Sequence, residues 1–593
     1  MNKGLKHYTK QISQTIGNAA KISINIHKED ANLHILVPLI TTVGLCPIQT
    51  SLCFNLQDKN KSELFGKGFK LNYYANITHS GKDIVVENYD GSTDTYSSDK
   101  NYFNLETGLE VKKIADDNYG AYHYEMKDKY GNRSDFRTYQ TYPKMIEYKN
   151  KDLMMTDFVE TNKTIDNGKG DQVKLSKNGH DFITKVEYYH NNSIVNSVEI
   201  SYDNNGYISR LTYKNGNTVA ATTSFTFKDN EIVVIDDQSG YRIKYQIEDN
   251  RVVSFVDGYD ENYTCGYQTT ITYQDHLTTV TNYKGKKTYC FFDSDSLPLY
   301  EVDDEGNIIE TKYDKETKTL QSNSGVISTK HIKNIVNITD LTTFTNSGLK
   351  VEKVKMDDPI FENVVGEYAY KVTGTGSLKK SIRVHGLATD NILAILFGKQ
   401  QTPKTDSSYV EVTMRCGGSI SDKFSKETID HHFQLMTLGI ASASSYDFID
   451  LEITLHGDAS IELGGLQITN KEFGSFYQYD ASGNATQLIR GGNTTNITYG
   501  SNNLPSSSIG MDSTMYRYEY DDYGNLIQAK TAYGAKVENT YDSIYKSNLL
   551  LTKVTDNEET KILETSKTYT SDGRFVASLT DELGNVTTYN EYD

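Results

Sequence analysis

The sequence of 593 residues predicts an all-β protein, in which an array of β-hairpins is interrupted by a β-sandwich. Three observations predict this fold class. Tyrosines recur at intervals of about 20 residues, and polar and apolar residues alternate between the intervening turns. In addition, no stretch combines helix caps with the apolar spacing of an amphipathic helix, so we expect little helix.

The composition supports a large folded core and excludes several classes of protein. Hydrophobic residues make up 37% of the chain and aromatic residues 11%, which rules out wholesale disorder. With 45 Tyr and only 7 Pro, the chain is neither collagen-like nor a proline-rich linker. The net charge of −18 disfavours nucleic-acid binding, which needs basic surface. No apolar run approaches the roughly 20 residues of a membrane-spanning helix, so we expect no membrane span.

The repeat is clearest in the C-terminal quarter. Spacings of 20, 21, 21 and 28 residues separate Tyr479, Tyr499, Tyr520, Tyr541 and Tyr569. Several turns carry Asp followed three residues later by Gly. In such a turn the Asp side chain binds a backbone amide two residues on, and Gly supplies a positive φ. The residues predicted to build these turns are Tyr479, Asp480, Gly483, Tyr520, Asp521, Gly524, Asp581 and Gly584.

A more eroded form of the same unit runs through the N-terminal half. Steps of 25, 18, 28, 19 and 21 residues separate Tyr202, Phe227, Tyr245, Tyr273, Phe292 and Tyr313. Predicted turn residues in this half are Tyr202, Asp203, Gly206, Tyr313 and Asp314. The sequence Tyr89-Asp90-Gly91 indicates that the pattern begins near residue 80. Each unit therefore corresponds to two short strands and two turns.

Residues 326–470 lack the repeat but keep strand-like alternation, as in Ile449–Leu455. Their number suits one β-sandwich, so we interpret this block as a domain inserted in the array. The predicted organisation is an N-terminal extension at 1–30, a first repeat segment at 31–325, the sandwich at 326–470 and a second repeat segment at 471–593.

The recurring Tyr-Asp-x-x-Gly-Asn units resemble those of the Rhs/YD-repeat proteins, which include bacterial polymorphic toxins, wall-associated proteins and, distantly, teneurins. Residues 35–40 and 65–74 resemble the segment that opens such arrays, with Phe69 where the family usually has Trp. Residues 326–470 resemble the jelly-roll, carbohydrate-binding-module-like domains of Gram-positive members. The resemblance covers roughly residues 31–593.

This resemblance implies a curved sheet or hollow shell that encloses a C-terminal effector and helps to deliver it in contact-dependent bacterial competition. The expected partner is the remainder of the same polypeptide, because Glu591-Tyr592-Asp593 begins another repeat and the chain resembles the N-terminal part of a shell. The resemblance also implies a secreted or cell-surface protein. No signal peptide is visible in the first 30 residues.

No catalytic motif emerges, so we expect a non-enzymatic protein without a cofactor or a metal. G-x-S-x-G, H-E-x-x-H and P-loop motifs are absent from the sequence. The adjacent His431 and His432 would face opposite sides of a strand, and Asp293 and Asp295 lack the rest of an EF-hand loop. A glycosidase needs two carboxylates roughly 5–10 Å apart in a cleft, whereas most acidic residues here lie in turns.

The inserted block holds the candidate ligand site. Sugar-binding sandwiches stack aromatic rings on sugars, and the candidates for such contacts are Tyr368, Tyr370, Tyr409 and Phe433. Each of these residues also suits a place in the core. The alternative function is therefore a cell-surface adhesin that binds glycans through residues 326–470.

The five cysteines include no C-x-x-C motif, which argues against a zinc or thioredoxin-like site. Two pairs, Cys46 with Cys53 and Cys265 with Cys290, are close enough in sequence to form disulfides in an extracellular protein. The alternative is that these residues are small buried thiols.

Overall fold

The prediction of an all-β protein is confirmed by the computed structural model. Its described residues form 52 strands, one short α-helix, α1 (Glu362–Val365), and three 3₁₀ helices at Leu56–Asp58, Ser98–Lys100 and Leu341–Thr343. The described residues are 5–6, 8–17, 21–44, 46–116, 121–138, 140–148, 164–179, 181–229, 231–260, 266–324, 327–328, 340–386, 391–402, 405, 407–421, 432–469, 474–490, 493–510 and 512–590.

The chain divides into two compact units. The first unit comprises Met1–Thr270, Tyr479–Thr486 and Thr495–Asp593, and the second comprises Ile271–Gln478 and Gln487–Thr494. Both repeat segments contribute to the first unit, and residues 271–325 share the second unit with the inserted block.

The first unit opens with four small sheets, whose orders are β1-β2-β3-β4-β7, β5-β6, β10-β9-β8 and β11-β12-β13-β14-β15. The strands are β1 (Gln11–Ile16), β2 (Ile22–His27), β3 (Leu33–Thr41), β4 (Gln49–Asn55), β5 (Ser62–Glu63), β6 (Gly66–Lys67), β7 (Phe69–Leu71), β8 (Ala75–Ser80), β9 (Asp83–Asn88), β10 (Thr93–Tyr96), β11 (Phe103–Asn104), β12 (Leu109–Asp116), β13 (Ala121–Asp128), β14 (Arg133–Arg137) and β15 (Met145–Glu147).

These sheets change two details of the sequence prediction. Residues 1–30, predicted as an extension, contain β1 and β2, which pair with each other, and β2 also pairs with β3. The turn predicted at Tyr89-Asp90-Gly91 joins β9 to β10 in a separate three-stranded sheet. Strand pairing joins residues distant in the chain, so spacing along the sequence does not reveal which sheet a turn belongs to.

The repeat array of the first unit begins at β16, and each strand pairs antiparallel with the next strand in the chain. Its strands are β16 (Thr164–Asp166), β17 (Asp171–Lys177), β18 (Ile183–His190), β19 (Ser193–Tyr202), β20 (Ile208–Asn215), β21 (Thr218–Lys228), β22 (Glu231–Asp237), β23 (Arg242–Glu248), β24 (Arg251–Asp257) and β25 (Tyr267–Gln274). Apolar residues at every second position form its buried face, such as Val198 and Ile200 on β19.

The N-terminal sheet packs against this part of the array. The ring of Phe54 lies 5.8 Å from that of Phe227, and the ring of Phe69 lies 5.9 Å from that of Phe225. The hydroxyl of Tyr213 donates to the carbonyl of Pro38 at 2.8 Å. One face of the early array strands is therefore covered within the first unit.

The second unit combines further array strands with the predicted sandwich. The array strands are β26 (Leu277–Thr281), β27 (Lys287–Phe292), β28 (Pro298–Asp303), β29 (Asn307–Tyr313), β30 (Leu320–Asn323) and β31 (Ile327–Ser328). The sandwich strands are β32 (Thr345–Ser347), β33 (Lys350–Lys355), β34 (Tyr368–Thr373), β35 (Gly376–Gly386), β36 (Asn391–Gln400), β37 (Tyr409–Cys416), β38 (Ser419–Ile420), β39 (Gln434–Ala441), β40 (Tyr446–His456) and β41 (Ser460–Thr469).

The sandwich consists of two five-stranded sheets, ordered β32-β35-β40-β37-β38 and β33-β34-β41-β36-β39. Alternate apolar residues of both sheets, such as Leu378, Ile453 and Leu463, fill the core between them. The outer side of the second sheet packs on the array strands of the same unit, where Phe397 and Phe433 share a buried cluster with Phe291 and Tyr300.

The chain returns to the repeat at β42 (Ser475–Tyr479), which pairs with β30. The remaining strands form successive hairpins: β43 (Ala485–Arg490), β44 (Asn493–Tyr499), β45 (Pro505–Ile509), β46 (Met515–Tyr520), β47 (Leu526–Thr531), β48 (Lys536–Tyr541), β49 (Leu549–Thr555), β50 (Ile562–Tyr569), β51 (Val576–Thr580) and β52 (Val586–Thr588). Most side chains of these strands are partly exposed, so this part of the sheet depends more on backbone pairing and turns than on an apolar core.

Candidate functional site

The aspartate turns form the recurring polar feature of the array. In the turn after β46, Asp521 Oδ1 accepts the backbone N–H groups of Tyr523 and Asn525, at 3.0 and 2.8 Å. Its Oδ2 accepts the Asn525 side-chain amide at 2.8 Å. Gly524 has φ of +81°, which a Cβ would strain. The carboxylate thus satisfies backbone donors that the turn would otherwise leave open.

The same pattern recurs at most of the predicted turns. Asp203, Asp480 and Asp581 each accept the amides two and four residues ahead. The glycines Gly206, Gly483 and Gly584 all have positive φ, at +86°, +73° and +81°.

The turn at Tyr313-Asp314 has a different geometry. Asp314 accepts the amides of Glu316 and Thr317, and its own N–H donates to Thr319. Lys318 takes the positive φ, +57°, in place of a glycine. This loop is longer, and the hydrogen bond that closes it joins Asp314 to Thr319, five residues later. The position three residues after Asp314, where the other turns have Gly, is Thr317.

Tyrosines before the turns connect successive hairpins. Tyr520 and Tyr541 lie at bulges where the strand register shifts immediately before the turn. The hydroxyls of Tyr202, Tyr499, Tyr541 and Tyr569 donate to carbonyls 14 to 20 residues earlier, at 2.6 to 3.2 Å. Burial raises the pKa of each of these hydroxyls, which therefore remain donors at neutral pH. This role requires Tyr rather than Phe.

Asparagines in the turns connect one turn to the next, a role that the sequence analysis missed. Asn484 Nδ2 donates to Asn503 Oδ1 at 3.0 Å, and Asn525 Nδ2 donates to the carbonyl of Lys546 at 2.9 Å. Asn548 Nδ2 reaches the carbonyl of Gly573 at 2.9 Å. For Asn484 and Asn525 the available signal was an Asn directly after the turn glycine, whereas Asn548 follows Ser547. We call this series of bonds the turn ladder.

Within the first unit, the late hairpins also bind the first strands of the array. Arg574, in the turn after β50, donates through Nη2 to the Tyr188 hydroxyl at 2.7 Å and through Nε to the carbonyl of Val43 at 3.3 Å. Its Nη2 lies 3.8 Å from Oδ1 of Asp171, which is buried at the start of β17. Asp572 lies 3.8 Å from His190. We call this contact the junction.

A further contact in the first unit involves the hairpin of β13 and β14. Lys129 Nζ donates to Asn484 Oδ1 at 2.7 Å, and its carbonyl accepts Asn503 Nδ2 at 2.9 Å. Asn484 therefore binds its own turn, the next turn and the β13–β14 hairpin at once, and it is only 3% exposed. The turn ladder is thus tied to the N-terminal sheets as well as to the array.

The four predicted ligand-contact residues do not form one surface. Phe433 is fully buried beside Phe361, and Tyr370 is also buried, so neither ring can stack on a ligand. Tyr368, on β34, is 43% exposed, and Lys353 Nζ lies 4.3 Å from its ring centre. Tyr409, on β37 of the other sheet, stacks on His456 at 4.2 Å. Packing against the array explains the burial of Phe433, which sequence alternation could not predict.

The remaining candidate residues have structural contacts. His432 Nδ1 lies 3.1 Å from Asp358 Oδ2, while His431 is outside the described residues. Asp293 accepts amides within its own turn, including that of Asp295. Across the described ranges, no group of His, Cys, Asp and Glu has the arrangement of a metal site. No described helix is long and apolar enough to cross a membrane.

The cysteine prediction is settled for one pair. Cys53 is a buried free thiol on β4, so it forms no disulfide with Cys46. Burial raises the pKa of the Cys53 thiol well above its ordinary value, which keeps it protonated and unreactive at neutral pH. Cys265 lies outside the described residues, so its pairing with Cys290 stays a prediction.

Comparisons with known proteins show only remote likenesses. No family model and no curated protein matches the chain. The chain is similar to the solved structure of TcdB2-TccC3-Cdc42, with 10% identity over 93% of this chain and 23% of that chain, at a TM-score of 0.24. It therefore spans less than a quarter of that chain.

Two carbohydrate-binding modules are similar to part of the chain. TmCBM61, solved with β-1,4-galactotriose, is 13% identical over 23% of this chain and 99% of its own, at a TM-score of 0.18. A xylan-binding module from Paenibacillus barcinonensis is 14% identical over 21% and 83%, at a TM-score of 0.16. Likenesses at this level assign neither a family nor a function to the chain.

Proposed function

We propose that this chain is a non-catalytic wall segment of a shell of the Rhs/YD-repeat type, which encloses a downstream effector polypeptide and helps to deliver it. The junction carries the proposal, because a late hairpin of the first unit binds the first strands of its array through Arg574, Asp171 and Tyr188. A side-chain contact between an early and a late part of the repeat is what we expect of a wall that surrounds an interior.

The use of the carboxylates supports a structural role. Asp203, Asp480 and Asp521 each bind backbone amides of their own turns. A general acid or base must instead keep an oxygen within reach of a substrate proton. In this proposal the array acts as a container that is secreted or displayed at the cell surface during contact-dependent bacterial competition, and the remainder of its own polypeptide is its partner.

The test is protection of a passenger. An unfolded, protease-sensitive polypeptide of about 100 residues, a typical domain length, is fused after Asp593. The control is the same passenger fused to an unrelated β-sandwich of known stability. We expect proteinase K to digest the passenger more slowly on this chain than on the control. Equal digestion rates would contradict enclosure.

The alternative function, a glycan-binding adhesin, rests on a separate observation. Tyr409 lies on β37, in the sandwich sheet that contributes no residue to the buried cluster around Phe291 and Tyr300, and its ring stacks on His456. Binding of the wild-type chain to a glycan array, lost in Tyr409→Ala and kept in Phe448→Ala, would support this alternative. Phe448 is a matched control because it is 49% exposed on the same sheet. If the wild-type chain binds no glycan on the glycan array, that result would contradict the adhesin function.

A further inference from the structure

We propose that Val43, Asp171 and Tyr188 form a guanidinium-binding socket, which Arg574 of the same chain fills and which acts as a releasable latch on the repeat array. This latch would hold the late hairpins of the first unit against its early strands. It goes beyond the proposed function, because the latch can exist whether or not the array encloses a passenger.

The socket matches a guanidinium group in particular. It presents a hydroxyl, a backbone carbonyl and a carboxylate, which lie 2.7, 3.3 and 3.8 Å from nitrogens of Arg574. A guanidinium carries five N–H donors in a fixed planar fork and can point at all three acceptors. A lysine ammonium is a compact charge, so it would reach fewer of them from the same backbone position.

The carboxylate of the socket is held in position by residues other than Arg574. Asp171 Oδ1 accepts the Tyr188 hydroxyl at 2.9 Å and lies 2.8 Å from His190 Nδ1, while its Oδ2 accepts Asn167 Nδ2 at 2.9 Å. All of these residues precede the late hairpins in sequence and belong to the array's first strands and turns. The carboxylate therefore keeps its position when Arg574 leaves, although it loses its only close Arg or Lys partner among the described residues.

Gly44 makes room for the arginine stem. A Cβ at position 44 would lie 3.0 Å from Cγ of Arg574. The φ of Gly44 is +111°, so a side chain there would be strained as well as crowded. The absence of a side chain at Gly44 therefore leaves space for the Arg574 side chain beside the Val43 carbonyl.

The latch is releasable because few other contacts hold the late hairpins at the junction. Among the described residues from 562 to 590, only Gly573 is buried, so no apolar cluster seals the junction. The other contact between ionisable side chains joins His190 Nε2 to Asp572 Oδ2 at 3.8 Å, and the Asp572 side chain is 40% exposed. Segments with few buried apolar contacts open locally before the rest of a protein unfolds. We therefore expect the junction to open as a unit when Arg574 is removed.

The test is chemical rescue, read by amide hydrogen exchange in the full chain. In Arg574→Ala we expect strands β17, β18, β50 and β51 to exchange at least about tenfold faster, with the sandwich strands unchanged. Methylguanidinium at about 20 mM, far below denaturing concentrations, should restore slow exchange in β17 and β18, whereas methylammonium should not. Arg574→Lys should behave like the alanine variant because it lacks the planar fork.

The control is Arg517→Ala, which removes an exposed arginine on strand β46, separated from β50 by three strands of the sheet, and should leave exchange at the junction unchanged. Three results would overturn the latch: unchanged exchange in Arg574→Ala, equal rescue by methylammonium, or faster exchange spread evenly over both units. Rescue by methylguanidinium together with an unprotected passenger would support the latch and contradict the shell, so the two proposals fail separately.

Discussion

Arg574 donates a hydrogen bond to the hydroxyl of Tyr188, a residue 386 positions earlier in the chain. The same hydroxyl donates to Asp171, so Tyr188 connects the guanidinium to a buried carboxylate. Burial raises the pKa of Tyr188 to about 12, which keeps its proton in place at neutral pH. One phenol therefore links the first strands of the array to one of its last turns.

Tyr188→Phe should weaken the junction while preserving its packing. The variant removes a hydrogen bond from each of two charged groups, and such bonds contribute about 1.5–3 kcal/mol. We expect the free energy of unfolding of the first unit, measured by urea denaturation, to fall by about 2 kcal/mol. Tyr189→Phe is the matched control, because its hydroxyl makes only a 3.5 Å contact with Glu187. Equal effects of the two variants would contradict the role of Tyr188.

Two glycines of the same turn family should respond differently to alanine. Gly573 and Gly584 have φ of +70° and +81°, so both variants should cost about 1 kcal/mol of backbone strain. At Gly573 the added Cβ would also lie 2.5 Å from the Tyr545 ring, whereas at Gly584 it meets nothing within 4 Å. We expect Gly573→Ala to lower the melting temperature clearly more than Gly584→Ala. Equal shifts would mean that the ring moves aside freely.

The tyrosine hydroxyls that join hairpins should contribute to stability individually. Tyr541 donates to the carbonyl of Leu526 at 3.1 Å, and loss of such a neutral bond costs about 0.5–1.5 kcal/mol. Tyr541→Phe should therefore lower the urea midpoint of the C-terminal hairpins. Tyr533→Phe should change nothing, because Tyr533 is 73% exposed. A destabilised Tyr533→Phe variant, or an unaffected Tyr541→Phe variant, would count against the proposed role.

The turn that contains Asp581 should weaken in acid. The hydrogen bond from the Asn585 side chain, followed by the Asn585 backbone amide, lowers the pKa of Asp581 below its ordinary value. A carboxylate with a lowered pKa contributes stability above its unfolded pKa, near 4, and this contribution disappears as pH falls through the folded pKa. A carbon-detected NMR titration of Asp581 should show the low pKa.

The matched variants for this titration are Asn585→Ala and Asn539→Ala. Asn585→Ala removes the side-chain donor and should raise the Asp581 pKa toward the ordinary value. Asn539→Ala should leave it unchanged, because the Asn539 side chain donates to the carbonyl of Leu526 instead. An Asp581 pKa that does not respond to Asn585→Ala would show that the backbone amides alone hold the carboxylate.

Sequence reasoning succeeded where the determinants are local. The Asp-x-x-Gly turns at Asp203, Asp480, Asp521 and Asp581 follow from hydrogen bonds that span at most four residues, so their spacing in the sequence is enough to predict them. The alternation that predicted strands is equally local, since side chains along a strand point to opposite faces in turn. The all-β class followed from these two patterns.

The tertiary structure decided the rest, because pairing between distant segments leaves no periodic trace. The sequence contained Arg574 and Asp171, but only folding places them 3.8 Å apart. The burial of Phe433 likewise depends on which sheet of the sandwich packs on array strands more than 130 residues earlier in the chain. The Phe433 carbonyl accepts a hydrogen bond from the hydroxyl of Tyr300, which lies 133 positions earlier. Short-range hydrogen bonding thus set the repeating unit in advance, whereas the contact of Arg574 with Asp171 and the burial of Phe433 depended on which surfaces met after the chain had folded.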